Sequence, residues 1–180
     1  MPKQRRKMAD IKKLAPIIFK WEGGWSDHRK DRGGKTNMGV TLETWKSCGY
    51  DKDGDGDVDA EDLKLITQDD AVELLRKHYW TRWQADNIRY QSVANILVDW
   101  VWASGKWGII IPQRILGVLP DGKVGQVTLS SLNSVNPEGF FNKLKSERIN
   151  FCNDLVKSDP SQNVFLQGWI NRIKDFKYIG

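Results

Sequence analysis

Trp21-Glu22-Gly23-Gly24-Trp25 is the stretch on which the reading of this chain turns. Upstream of it, apolar residues recur at Ile11, Leu14, Ala15, Ile18 and Trp21, which is the spacing of one helix face. At about 100° per residue, Glu22 falls inside that stripe, in the direction of Ile11, Ala15 and Ile18. Two glycines follow at once and are expected to stop the helix. The pattern therefore puts a carboxylate at the carboxyl end of a helix, aimed where an apolar side chain belongs. Desolvation and the negative end of the helix dipole both disfavour its charged form. A carboxyl group kept protonated near neutral pH is what a general acid requires. A glutamate that reaches water at an ordinary helix end satisfies the same periodicity, so the choice rests on the residues downstream.

Those residues, 25 to 39, are polar, glycine-rich and without periodicity, too long for an idle turn. Val40 to Trp45 then begins a short helix capped by Thr41. Asp51-Lys52-Asp53-Gly54-Asp55-Gly56-Asp57-Val58-Asp59-Ala60-Glu61-Asp62 follows. Counted from Asp51, carboxylates occupy positions 1, 3, 5, 7, 9 and 12 of a loop, with Gly56 at position 6 and Val58 at position 8. That is the calcium-loop pattern of EF-hands. Alternate side chains converge on a hard cation, glycine permits the sharp turn, and position 12 closes the shell. Asp62 stands where a bidentate glutamate is usual, as in the shorter-armed loops of dockerin modules. Asp51, Asp53, Asp55, Asp57 and Asp62 are the expected Ca2+ ligands, with Asp59 acting through water. The competing reading is an acidic surface loop with no ion.

The remainder reads as a succession of helices. Thr67 to Asp70 is a capping-box start, and Ala71, Leu74, Leu75, His78 and Tyr79 continue at helical spacing, which makes His78 a packed residue at the core edge. Ser92 is expected to cap a strongly apolar, central helix running from Val93 to Ser104, with Asp99 beside its stripe. Ile109 to Ile111 could form a strand, but Pro112 and the residues to Leu116 favour a short helix. Asn136-Pro137-Glu138 opens a long helix, and a last helix carries Phe165 to Phe176.

The chain has 180 residues, enough for one domain or one domain with an appendage, and a net charge of +5. That charge fits a polyanionic partner such as nucleic acid, a membrane surface or an acidic wall polymer. Nine tryptophans are many for this length, and flat rings with one polar edge suit sugar clefts as well as cores; Trp25 and Trp45 are the candidate sugar platforms. Cys48 and Cys152 make no metal or disulfide framework and are expected as free thiols. No apolar run approaches the ~18 residues of a membrane span, and no signal-peptide pattern opens the chain.

Glu22-Gly23-Gly24-Trp25, Asp31, Gly33-Gly34, Thr36-Asn37 and Gly39-Val40-Thr41 together resemble the N-terminal signature of glycoside hydrolase family 108, the phage and bacterial muramidases. Ser104-Gly105, Gln113, Asp121 to Gly125, Thr128-Leu129 and Gly168 to Arg172 are similar to the associated region described as peptidoglycan-binding. The resemblance implies a mainly α, lysozyme-like fold with the EF-hand/dockerin-like loop 51–62 inserted. It implies a catalytic region over 1–103 and a helical peptidoglycan-binding-like region over 104–180. It further implies cleavage of the β-1,4 bond between N-acetylmuramic acid and N-acetylglucosamine, with Glu22 as catalytic acid, Asp31 and Thr36 beside the sugar and its water, and Trp25 and Asn37 contacting substrate. Asp27 remains an alternative second carboxylate. A lytic transglycosylase, and a calcium-dependent wall-binding or secretion-associated protein without activity, are the rival readings. The implied partner is the glycan strand of peptidoglycan rather than nucleic acid, met by a monomer that is made in a bacterial or phage-infected cytoplasm and acts on the wall.

Overall fold

A computed structural model describes residues 7–27 and 34–180. The chain forms two compact units, Ile11–His78 and, with the N-terminal segment up to Asp10, Tyr79–Gly180.

In the first unit, helix α1 (Ile11–Glu22) buries Ile11, Leu14, Ala15 and Ile18, the face the periodicity selects. Pro16 lies on its exposed side, where the carbonyl it deprives of a partner can face water. A two-stranded antiparallel hairpin follows, β1 (Thr36–Asn37) and β2 (Val40–Thr41). Its two-residue turn holds Met38 at φ 50° and Gly39 at φ 78°, both in the left-handed region that this kind of hairpin turn needs. Helix α2 (Leu42–Cys48) starts on Thr41, whose hydroxyl accepts the Thr44 amide. Helices α3 (Ala60–Leu65) and α4 (Gln68–Leu75) complete the unit. Val40, Trp45, Leu63, Ile66, Ala71 and Leu74 form one buried cluster, with Phe19, Met38, Leu42 and Val58 against it. Trp45, a candidate sugar platform by sequence, is only 1% exposed and is core.

Both α3 and α4 begin with reciprocal capping boxes. In α4 the Asp70 carboxylate accepts the Thr67 amide at 2.7 Å, Lys52 Nζ at 2.7 Å and the Tyr50 hydroxyl at 2.9 Å. Burial would raise the Asp70 carboxyl, but these donors outweigh it and hold the group down to about 2. Beyond Leu75 the chain changes to a π-helical turn, Arg76–Trp80. The 100° extrapolation stops applying there, so His78, expected at the core edge, is exposed instead.

The second unit is built on α5 (Gln91–Ser104), α6 (Trp107–Leu116), α7 (Gln126–Leu132), α8 (Pro137–Ser158) and α9 (Asn163–Asp175). Residues Ser92 to Val101 of α5 are all buried, so it is the central helix. Ser92 does not cap it. The helix begins at Gln91, and the Ser92 hydroxyl accepts the Ile179 amide at 2.9 Å. The stretch Ile109–Ile111 is helical, and α6 runs straight through Pro112. Proline leaves the Gly108 carbonyl without its helical donor, and the buried indole of Trp83 supplies one at 3.1 Å. Gly108 is also the closest approach of α6 to α5, where an added Cβ would fall 2.5 Å from the Val101 amide nitrogen.

Asp99 is fully buried between two arginines, Arg148 of α8 at 2.8 Å and Arg172 of α9 at 2.6 Å. Burial opposes its charge, and the two guanidiniums overcome that and hold it below the usual carboxylate range. Cys48 and Cys152 are both free.

Two outcomes are expected. Asp99→Ala removes the carboxylate from beside the buried Arg148 and should cost about 3–5 kcal/mol in urea unfolding, whereas Asp154→Ala on the exposed face of α8 should be near neutral. Because Asp70 titrates lower folded than unfolded, its contribution, roughly 2 kcal/mol, is complete above about pH 4 and lost as pH falls toward 2. Asp70→Asn should flatten the acid limb of the stability curve in that window.

Candidate functional site

The end of α1 positions the first candidate residue. Gly23 takes φ 72° and donates its amide to the Phe19 carbonyl at 3.2 Å, a helix stop that an L side chain would strain. Nothing lies within 4 Å of a Cβ built there, so backbone conformation rather than space selects glycine. Glu22, the last helical residue, is half-buried one turn beyond the fully buried Ile18. The chain then runs through Trp25 to Ser26, which pairs with Thr36. The Ser26 amide donates to the Thr36 carbonyl at 2.8 Å, and the Thr36 amide returns the bond at 2.9 Å. Glu22 precedes Ser26 by four residues, so their Cα atoms are at most about 14 Å apart. The Ser26–Thr36 pairing thereby limits how far apart Glu22 and Thr36 can lie. Asp31 lies outside the described residues; Asp27 is exposed.

The resemblance gives Asn37 a substrate contact, but its side chain faces the other way. It is 6% exposed, and its amide nitrogen donates to the Leu63 carbonyl at 2.9 Å and to that of Lys64 at 3.4 Å. Those carbonyls are among the orphan acceptors at the end of α3. Asn37 thus fixes the hairpin to α3, one residue from Thr36. Trp25 is 38% exposed, and Lys64 of α3 places its ammonium 5.2 Å from the ring centroid, a cation–π contact. Neither Ser26 nor Lys64 was marked by any sequence motif; a backbone pairing and a cross-element ring contact leave no local signature. A surface depression of about 560 Å³ lies beside α2, lined by Gly34, Lys35, Leu42, Glu43, Lys46 and Ser47. Among the described residues its lining does not include Glu22.

In the acidic loop, carboxylates accept backbone amides. Asp51 accepts the amides of Gly54 at 2.6 Å and Gly56 at 2.9 Å, Asp53 that of Asp55, and Asp55 that of Asp57. Gly56, at φ 101°, makes the turn. Oxygens of Asp51, Asp53 and Asp55 lie within 4.8 Å of one another, and so do those of Asp57, Asp59 and Asp62. Asp62 is fully buried and accepts three amides, from Lys52 at 2.6 Å, Asp53 at 3.2 Å and Asp59 at 2.8 Å. The Asp59 amide above all, aided by the other two, holds its carboxyl below the usual range against burial. The neighbouring carboxylates repel. Asp55 pushes Asp57 up. Asp53, although the Asp55 amide lowers it, is raised on balance by desolvation and by Asp55, Asp62 and Asp51.

Two polar motif residues of the second region, Gln113 and Thr128, also turn inward. Gln113 is fully buried, accepts the Gly122 amide at 2.9 Å, and donates to Asp121 at 3.2 Å, the Lys123 carbonyl at 2.9 Å and Thr128 at 3.3 Å. With Arg172 bound to Asp99, these residues hold the unit together.

Comparison with known proteins agrees with this architecture. The sequence model of the family Glycosyl hydrolase 108 matches residues 15–105, and that of the Predicted Peptidoglycan domain matches residues 107–174. Among solved structures, SagA of Brucella abortus superposes with a TM-score of 0.73 at 28% identity, over 91% of this chain and 89% of that one. None of the curated proteins compared with the chain matches it. No helix among the described residues is long and apolar enough to cross a membrane. The mainly helical chain, with a catalytic-family match over half its length and a peptidoglycan-binding match over most of the remainder, belongs to glycosyl hydrolase family 108: it is a glycoside hydrolase, and peptidoglycan is its partner.

Proposed function

We propose that the protein is an N-acetylmuramidase that cleaves the β-1,4 bond between N-acetylmuramic acid and N-acetylglucosamine with Glu22 as general acid. The observation that carries this is the place of Glu22: half-buried at the carboxyl end of α1, past a buried apolar face. From that position its carboxyl group would hand a proton to the departing glycosidic oxygen. Thr36, clipped by Ser26 to the strand leaving Glu22, is assigned to orient the attacking water. Asp31 is assigned as the anionic partner that steadies the oxocarbenium-like transition state. Asn37 is a positioning residue, holding Thr36 through α3 rather than touching sugar. Trp25 offers its exposed ring to the glycan, and Lys64, which covers it, is long enough to swing aside.

The loop 51–62 is assigned a structural Ca2+ bound by Asp51, Asp53, Asp55 and Asp57. The support is the ligand spacing together with carboxylate crowding, which raises Asp53 and Asp57 and which a cation would relieve. Asp62 has spent three of its roughly four acceptor positions on amides. It can give the ion one contact rather than the two of a bidentate glutamate, and weaker binding follows.

Glu22→Gln should reduce clearing of a purified peptidoglycan suspension by at least ~10³-fold, the upper range for loss of a general acid together with its proton, with an unchanged melting temperature. Mass spectrometry of the wild-type products should find reducing-end N-acetylmuramic acid. Release of 1,6-anhydro sugars would make the enzyme a lytic transglycosylase instead. Chelation should lower the melting temperature of the protein, and added Ca2+ should restore it in proportion to its logarithm; identical transitions with and without Ca2+ would remove the ion from the account.

A further inference from the structure

Several residues that mark the second unit as peptidoglycan-binding make their contacts inside it. Gln113, Asp121, Gly122 and Thr128 pin one turn, and Arg172 pairs with Asp99. Exposed side chains elsewhere on the unit are therefore the place to look for contact with the wall. The surface between α6 and α8 carries a groove of about 490 Å³, within the roughly 300–1,000 Å³ of small-ligand clefts. Its apolar wall is Trp107, 39% exposed, with Phe151 at 6.4 Å and a 41° tilt, and Ile111 below. Lys106 sits 5.7 Å from the Trp107 ring centroid. On the α6 side Arg114 is exposed and enters no ion pair among the described residues. On the α8 side Asn150 is exposed, and Glu147 pairs with Lys143 at 2.6 Å.

Tryptophan half out of water beside an amide and an unpaired guanidinium is not how a helical core ends. It matches a ligand with an apolar sugar face, hydrogen-bonding acetamido groups and a carboxylate. We propose that the α6–α8 groove is a glycan-anchoring subsite for a muropeptide, separate from the Glu22 site. The sugar face stacks on Trp107, Asn150 bonds an acetamido or hydroxyl group, and Arg114 takes a carboxylate of the attached peptide. This deepens the peptidoglycan-hydrolase reading and rests on it for the class of ligand.

The test uses full-length Glu22→Gln protein, so that ligand is not consumed. Two soluble probes are titrated and followed by amide and indole NMR: the N-acetylglucosamine–N-acetylmuramic acid disaccharide with its peptide, and the same disaccharide without it. The Trp107 indole and Asn150 side-chain signals should shift saturably, with the peptide-bearing probe bound about tenfold tighter, one charge-assisted contact's worth. Arg114→Gln should remove that preference and leave the bare disaccharide unaffected. Trp107→Ala should abolish the Asn150 response to both probes, and Trp107→Phe should retain it, which separates ring stacking from a folding defect. A response confined to residues 11–78, or equal affinity for the two probes in the parent protein, overturns the assignment. Failure of the Glu22 reading looks different: the wild-type enzyme leaves the glycan intact while the groove signals still move.

Discussion

Two backbone hydrogen bonds between Ser26 and Thr36 hold the candidate catalytic region in shape. They are one link in a closed circuit of contacts within the first unit. From Thr36 the next residue, Asn37, reaches the carbonyl end of α3. The other end of α3 is capped by Asp62 and Asp59, and Asp62 also gathers the amides of Lys52 and Asp53. Lys52 reaches Asp70 at the start of α4, and α4 packs on α1, which ends in Glu22. Except for the packing of α4 on α1, each link is polar and directional, whereas the apolar cluster beneath is not. The cluster supplies most of the stabilisation, and the circuit fixes the segments that carry Glu22 and Thr36.

The acidic loop owes its place in the chain to this circuit. Val58 anchors it to the core cluster, and Asp62 ties its two ends to α3. Crowded carboxylates oppose that arrangement, and the opposition is concentrated at Asp53 and Asp57, both of which also feel the charge of Asp62. The amides accepted by Asp51, Asp53, Asp55 and Asp62 define the loop's path despite that repulsion. Through Asp62 the loop is joined to α3, and through Asn37 α3 is joined to Thr36. That chain of contacts links the acidic loop to a hydroxyl at the candidate site.

Where structure follows local rules, the sequence was readable. The buried face of α1, the stop at Gly23, the Thr67–Asp70 capping box and the Asn136–Pro137 start of α8 all depend on residues within one or two helical turns of each other. Features set by distant partners were not readable. Pro112 suggests a helix boundary, and only the Trp83 indole, some thirty positions earlier by sequence number, lets α6 continue through it. Ser92 carries a cap's chemistry but spends it on the C-terminal Ile179. His78 follows a helical stripe that ends three residues before it. At the candidate site the position of Glu22 was legible because a helix and its stop determine it. The inward turn of Asn37 was not, because the carbonyls it satisfies lie in an element 26 positions away.

Asn37 and Gln113 bear on how a family signature should be read. Both stand inside motifs that identify their regions, and both are buried with their amides committed to backbone or turn partners. A buried amide with several partners tolerates no substitute, since any replacement strands a donor or an acceptor at a cost of about 1–3 kcal/mol. An exposed ring on a groove, such as Trp107, tolerates several, because another flat side chain stacks nearly as well. Positions fixed by such geometry therefore form the recognisable pattern, while positions that touch the ligand are free to drift with it. The signature identifies the scaffold, and the surface that grips the wall must be found from exposure, charge and shape.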